Sequence, residues 1–236
     1  MQSAGKQIPL DLTFRASQGR EDFLVAESNL SAVNWIDGWP KSWSTPVLII
    51  TGAAASGKSH LANVWKDMAQ ATQIAPDMLV NHTAENIAQM GKHLLIDGVD
   101  LWLGDRTAET TLFHLYNMFK EEGRTMLVTM RMNPAQADFA IADLASRWRG
   151  SPLAVIKEPD DLLLQAVLVK QFSDHGLKIE EGVINYVLPR MERSFKAAYD
   201  IVALASEMAM AEKKPVSVSL MRKVLAELQF SGPLFD

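Results

Sequence analysis

The sequence predicts an α/β fold, a parallel β-sheet flanked by helices and followed by a small all-α domain. Three observations carry this reading. Short, wholly apolar runs recur through the first two thirds of the chain with helical segments between them. A glycine-rich loop joins one such run to a helix, and after Pro159 the runs stop and only helical periodicity is left. With 236 residues, 48% of them apolar and 22% charged, the chain can bury a core of this kind.

Residues 1–22 are polar and irregular, broken by Pro9 and Gly19, and read as a flexible N-terminal segment with one apolar island at Ile8–Leu12, followed by Phe14. Ser28 can cap a helix running through Ala32, Val33, Trp35 and Ile36. Pro40 and Pro46 bracket a loop, and Val47-Leu48-Ile49-Ile50 then has the unbroken aliphatic character of a strand buried on both faces. Similar runs at Met78–Val80, Leu94–Ile96, Met126–Val128 and Leu153–Ile156 predict four more strands. Helices are expected over 58–70, 108–121 and 138–148, completing an α/β domain over residues 23–158. Residues 159–236 form the helical domain, with amphipathic stretches at 162–172, 181–191, 194–211 and 219–228, punctuated by Gly176, Gly182 and Pro215. Trp35, Trp39 and Trp43 are expected to pack the first helix on the sheet, with Trp39 or Trp43 open as exposed contacts.

Composition removes several functions. Lys and Arg total 23 against 28 acids, a net charge of −5, and no dense basic run occurs, so autonomous wrapping of duplex DNA is disfavoured. No apolar run approaches the roughly 18 residues that cross a bilayer, and Met1–Lys6 lack the features of a secretory signal, so a cytoplasmic location without membrane partners is expected. Cysteine is absent, which excludes disulfides and thiolate metal sites, and the five histidines show no ligand spacing.

The chemistry concentrates at Gly52-Ala53-Ala54-Ala55-Ser56-Gly57-Lys58-Ser59, a full G-x-x-x-x-G-K-[ST] loop between a predicted strand and a predicted helix, with His60 following. Glycines let the backbone turn its N–H groups toward phosphates, and the helix N-terminus adds a positive field. Lys58 is expected to neutralise the β and γ phosphates of ATP or ADP and Ser59 to hold Mg²⁺ through its hydroxyl. The Leu94-Leu95-Ile96-Asp97 run offers the acid for the Mg²⁺ hydration shell, unless Asp97 is a plain surface aspartate. Many such ATPases carry a second acid directly afterwards to orient the attacking water. Here Gly98 stands there, and Asp100 points elsewhere unless the chain bends, so weak hydrolysis is expected.

The glycine-rich loop, the strand ending in Asp97 and the helical tail resemble the AAA+ domain of the bacterial replication initiator DnaA. The resemblance extends from Gln7 to about Leu228 and is strongest with the DnaA-related regulators of the Hda family, in their alphaproteobacterial form. Phe23-Leu24-Val25 followed by Ser28-Asn29 is similar to the stretch that lines the adenine pocket, which implies Phe23, Val25 and Asn29 as nucleotide contacts. No helix-turn-helix segment follows the helices and no long N-terminal domain precedes the sheet, as expected for a regulator rather than a complete initiator.

The resemblance implies further roles. Thr129 corresponds to sensor I near the γ-phosphate, with a plain strand-end threonine as the alternative. Arg147, in Asp143-Leu144-Ala145-Ser146-Arg147, corresponds to the arginine finger that reaches a neighbour's nucleotide, with a helix-end arginine pairing with solvent or a local acid as the alternative. Trp148-Arg149-Gly150 departs from the usual continuation. Arg193 corresponds to sensor II in the lid, ahead of nearby Arg190. Gln7-Ile8-Pro9-Leu10-Asp11-Leu12 is similar to the hexapeptide that docks on the sliding clamp (β subunit) of DNA polymerase: a Gln amide and two leucines suit a polar rim and an apolar pocket. Gln229–Phe235 has a similar flavour, and reads mainly as a hydrophobic clasp.

By this resemblance, the ADP-bound protein sits on the clamp, meets DNA only through it, and uses Arg147 to stimulate hydrolysis of ATP held by DnaA, which switches the initiator off. A homodimer is conceivable. The competing expectations are a motor or clamp-loader-like ATPase with its own turnover, which Gly98 opposes, and a DNA-binding scaffold, which the acidic composition opposes.

Overall fold

The computed structural model describes residues 25–230. They divide into two compact units, one of residues 27–158 and one of residues 159–230 together with Val25 and Ala26.

The first unit is a five-stranded parallel sheet in the order β2-β3-β4-β1-β5. Its elements in chain order are α1 (Leu30–Asp37), β1 (Val47–Thr51), α2 (Lys58–Ala69), β2 (Thr72–Ile74), α3 (Met78–Asn81), α4 (Ala84–Ala88), β3 (His93–Ile96), α5 (Arg106–Glu122), β4 (Thr125–Met130), α6 (Ala142–Arg149) and β5 (Leu153–Val155). Both β1 and β4 are buried along their whole length, as unbroken apolar runs in a covered parallel sheet must be. Strand alternation sends Val47, Ile49, Leu94, Ile96, Met126 and Val128 to one face, where they pack with Leu112, Leu115, Phe119 and Trp148. Leu48, Ile50, Leu95 and Leu127 point the other way and are fully buried; α1 and α2 contact the sheet through β3, β4 and β5. Beside α2, Trp43 stacks on buried Trp65 at 5.4 Å. Trp39 meets Trp65 edge-on and donates its indole N–H to Thr125 Oγ1 at 3.0 Å. Trp43 is buried and Trp39 half-buried, so the tryptophans pack rather than protrude.

In this unit three expectations are corrected and one strand is added. Met78–Val80 is not a strand but most of α3; Pro76 and Asp77 start the helix there, and only Leu79 of its residues is buried. The strand that pairs with β3 is Thr72–Ile74, a short edge strand with one buried residue, whose polar makeup hides it. Asn29, not Ser28, precedes α1, and it makes no side-chain cap bond. The helix expected from 138 begins at Ala142, because the Ala140 and Ile141 N–H groups are held by the Glu109 carboxylate instead.

The second unit contains α7 (Asp161–Asp174), α8 (Glu181–Val187), α9 (Phe195–Glu212) and α10 (Val218–Phe230). Asp160 and Ser194 cap α7 and α9, accepting from Leu163 N at 2.7 Å and Ala197 N at 3.1 Å. Leu164, Leu168, Phe172, Val183, Val187, Ile201, Val202, Met221 and Val224 form its core. The α8 segment ends earlier than the periodicity suggests, where Pro189 turns the chain into a 3₁₀ turn over Leu188–Arg190.

Candidate functional site

The site is built at the C-terminal ends of β1, β4 and β3, where the chain leaves each parallel strand. Buried Thr51 closes β1, and the loop then turns back on itself through two left-handed residues, Ala55 at φ 54° and Gly57 at φ 94°. Gly52 is required by space: a Cβ there would lie 2.6 Å from Ile156 O and 2.7 Å from Ser56 Oγ. The Ser56 hydroxyl is buried without a protein partner among the described residues, a polar atom left for a ligand. Helix α2 opens with the Leu61 N–H donating to Gly57 O at 3.0 Å. Ser59 and His60 are exposed on its first turn.

Lys58 is folded onto its own loop, donating to Gly52 O at 2.8 Å and Ala53 O at 2.6 Å. Burial holds its ammonium below the usual lysine range; Asp100 opposes that shift, Arg131 reinforces it, and Asp97 opposes it more weakly. The two carbonyls offer the ammonium only partial negative charge.

Asp97 follows β3, and two residues singled out separately from the sequence, Asp97 and Thr129, are joined: the Thr129 hydroxyl donates to Asp97 Oδ1. Thr129 is fully buried, and the Gly98 N–H donates to its Oγ1 at 2.9 Å and its carbonyl at 3.2 Å. Gly98 is left-handed, φ 79° and ψ 57°, and a 3₁₀ turn follows over Val99–Trp102. The chain therefore does bend. Asp100 comes back over the strand ends, where its Oδ1 accepts the Arg131 N–H at 2.5 Å. Thr51 pairs with Met130 in register, so Gly52 and Arg131 are the first residues after the two adjoining strands.

Arg147 lies on α6, half-buried, its guanidinium 4.7 Å from the Phe113 ring centre and 5.2 Å from that of Tyr116. No carboxylate among the described residues pairs with it. The unusual Trp148 is buried against Phe139, and Arg149 donates to Pro134 O at 3.3 Å. In the helical unit Arg193 Nη2 lies 2.9 Å from Asp161 Oδ1, an exposed pair. Arg190 instead donates to Tyr186 O at 2.9 Å and covers the Tyr186 ring. Asn29 is buried and Val25 partly exposed. Phe23, Gln7–Leu12 and the C-terminal Pro233-Leu234-Phe235 lie outside the described residues.

Sequence reasoning missed Arg131 and Glu109 and left Asp100 turned away. The signal for Arg131 was its position one residue past a strand adjoining β1. For Asp100 it was the glycine that permits the turn. Among the described residues no cluster of three or more His, Asp or Glu could hold a metal, and no helix is long and apolar enough to cross a membrane. The Asp97 carboxylate and the Ser59 hydroxyl are ligands of the type that would hold a Mg²⁺ arriving with phosphate oxygens and keeping its waters.

No family model matches the chain. It is 23% identical over 134 residues to the chromosomal replication initiator protein DnaA of Thermomicrobium roseum, a stretch that is 57% of this chain and 29% of that protein. The chain thus spans under a third of the length of that relative. Domain III of the Thermotoga maritima replication initiation protein DnaA superposes with a TM-score of 0.76 at 18% identity, covering 88% of this chain and 95% of that one. AMPPCP-bound DnaA from Aquifex aeolicus gives 0.67 at 19% identity, over 78% and 63% of the two chains. The chain has the AAA+ fold of DnaA domain III: a P-loop parallel sheet flanked by helices, followed by a small all-α lid domain.

Proposed function

We propose that this protein is a nucleotide-binding regulator of replication initiation of the Hda type. It holds ADP or ATP on Gly52–His60, with Mg²⁺ between Ser59 and Asp97, Thr129 facing the γ-phosphate position, and Phe23, Val25 and Asn29 around the base. Arg193, paired with Asp161 in the helical unit, takes the sensor II role that the resemblance assigns to it. The Gln7–Leu12 segment docks on the DNA-loaded sliding clamp, so DNA is reached only indirectly, in the cytoplasm. From there Arg147 enters the active site of ATP-bound DnaA and promotes hydrolysis, which inactivates the initiator. A homodimer is a resting form compatible with this scheme.

The observation that carries the reading is the Arg147 guanidinium, supported by two aromatic rings and half exposed, with no carboxylate partner among the described residues. An arginine meant for a local ion pair would have an acid beside it. One meant for another molecule's phosphates needs a rigid platform and a free charge. The likeness in sequence and fold to DnaA supports a partner built the same way, since AAA+ domains supply arginines to neighbours of their own fold.

The test is hydrolysis of DnaA-bound ATP in the presence of clamp-loaded DNA, with wild-type, Arg147→Ala and Gln7→Ala protein added. Wild type is expected to accelerate hydrolysis, Arg147→Ala to lose most of an effect that is roughly 10³- to 10⁵-fold for arginine fingers, and Gln7→Ala to lose the dependence on the clamp. Equal stimulation by Arg147→Ala, or none by wild type, refutes the regulatory role. Rapid turnover without DnaA favours the motor reading instead.

A further inference from the structure

We propose that Asp100 is the water-orienting acid of this nucleotide site, standing in for the side chain that Gly98 lacks. The inference rests on the nucleotide-binding reading and goes beyond it, because it gives the protein a slow triphosphatase activity of its own and names the residue responsible.

The geometry is local and specific. Gly98 takes a left-handed conformation directly after Asp97, so the chain reverses instead of continuing away from the sheet. Val99, the next residue, is fully buried in the core and pins the turn. The 3₁₀ geometry then presents Asp100 at the strand ends, where Oδ1 accepts the Arg131 N–H. Arg131 is the residue after β4, and β4 lies between β3 and β1, with Met130 opposite Thr51. The Asp100 carboxylate is therefore fixed one strand from the start of the phosphate-binding loop. Its other oxygen, Oδ2, accepts no hydrogen bond from the described residues.

Asp97 is committed differently. Its Oδ1 accepts the Thr129 hydroxyl, which leaves it suited to the metal's hydration shell. Two carboxylates thus reach the site from one turn, one for the cation and one for water. In the step proposed, a water oxygen bonds to the γ-phosphorus as the bond from that phosphorus to the β–γ bridging oxygen breaks. The nucleoside diphosphate leaves with the electron pair, and the water proton passes to Asp100 Oδ2 and on to the departing phosphate.

The experiment uses the full chain, fluorescently labelled ADP for affinity, and phosphate release at saturating ATP and Mg²⁺ for turnover. Asp100→Asn keeps an oxygen for the Arg131 N–H and is expected to retain ADP affinity within about twofold while losing roughly 100-fold in turnover, the scale of a general base. Asp100→Glu is expected to recover part of that loss. Turnover by Asp100→Asn at the wild-type rate, or no wild-type turnover above the protein-free background despite tight ADP binding, overturns the inference alone. Failure of the wild type to bind ADP or ATP overturns the nucleotide reading and this inference with it.

Discussion

Replacing Glu109 with glutamine tests whether one buried carboxylate holds the start of α6. Glu109 lies on α5 with no exposed surface. Its Oε1 accepts the N–H groups of Gly104 at 2.7 Å and Ala140 at 3.1 Å, and its Oε2 accepts that of Ile141 at 2.7 Å. Ile141 precedes α6 and has no cap bond of its own, so Glu109 serves as the helix's missing cap. Glutamine fills the same volume, and its amide oxygen can keep Gly104 and Ala140. Its NH₂ then faces the Ile141 N–H, two donors with no acceptor between them. Losing charge assistance on two bonds and orphaning a buried donor is expected to cost about 2–4 kcal/mol. Urea unfolding followed by tryptophan emission reads this directly, because all six tryptophans (35, 39, 43, 65, 102 and 148) belong to the α/β unit. That matters where two units need not unfold together. With a slope near 2 kcal/mol per molar, the midpoint is expected to fall by roughly 1–2 M. A midpoint within about 0.3 M of wild type would falsify the capping role.

Two other outcomes follow from the structure. His93 is held below the usual histidine value by burial first, then by Lys92 and Arg124, with its Thr125 hydrogen bond opposing. The folded state thus binds fewer protons than the unfolded chain, so stability should be complete above about pH 6.5 and decline as pH falls from there through the folded value. Thermal melts of wild type and His93→Gln between pH 7.5 and 5.5 check this; an identical decline in both assigns it elsewhere. At Gly98 an added Cβ meets nothing within 4 Å, but φ is +79°. Gly98→Ala should therefore lose only the backbone cost, about 1–2 kcal/mol, in the same urea assay. A loss well above that range shows that the turn is packed rather than merely strained.

The parts of the fold legible in the sequence are those where local pattern and tertiary role agree. The runs at Val47 and Met126 are continuous because β1 and β4 are central strands, and the loop at Gly52–Ser59 is recognisable because phosphate geometry dictates its residues. Thr72–Ile74 was not legible, because an edge strand with one buried residue has neither alternation nor an apolar run. Met78–Val80 misled for the opposite reason: three apolar residues in a row suit a strand or one turn of helix, and only the preceding Pro76 and Asp77 distinguish them. At the site, Asp97 and Thr129 were readable as strand-end polar residues. Their mutual hydrogen bond was not, since it depends on β3 lying next to β4. Asp100 turned on the φ of one glycine, which sequence permits without specifying.

Glu109 also connects the two halves of the chemistry. Gly104 ends the segment that carries Asp100, and Ile141 immediately precedes the helix that carries Arg147; one carboxylate holds both. Further along the same helix face, three and four residues apart, Phe113 and Tyr116 support the Arg147 guanidinium. The position of the arginine is thus set by α5 more than by α6, and α5 is anchored in the sheet through Leu112, Leu115 and Phe119. A disturbance at Asp100 or Gly98 has a short covalent and hydrogen-bonded path to α6 that does not pass through the P-loop. On the function proposed above, that framework holds Arg147 in place while Lys58 exchanges the carbonyls of Gly52 and Ala53 for phosphate.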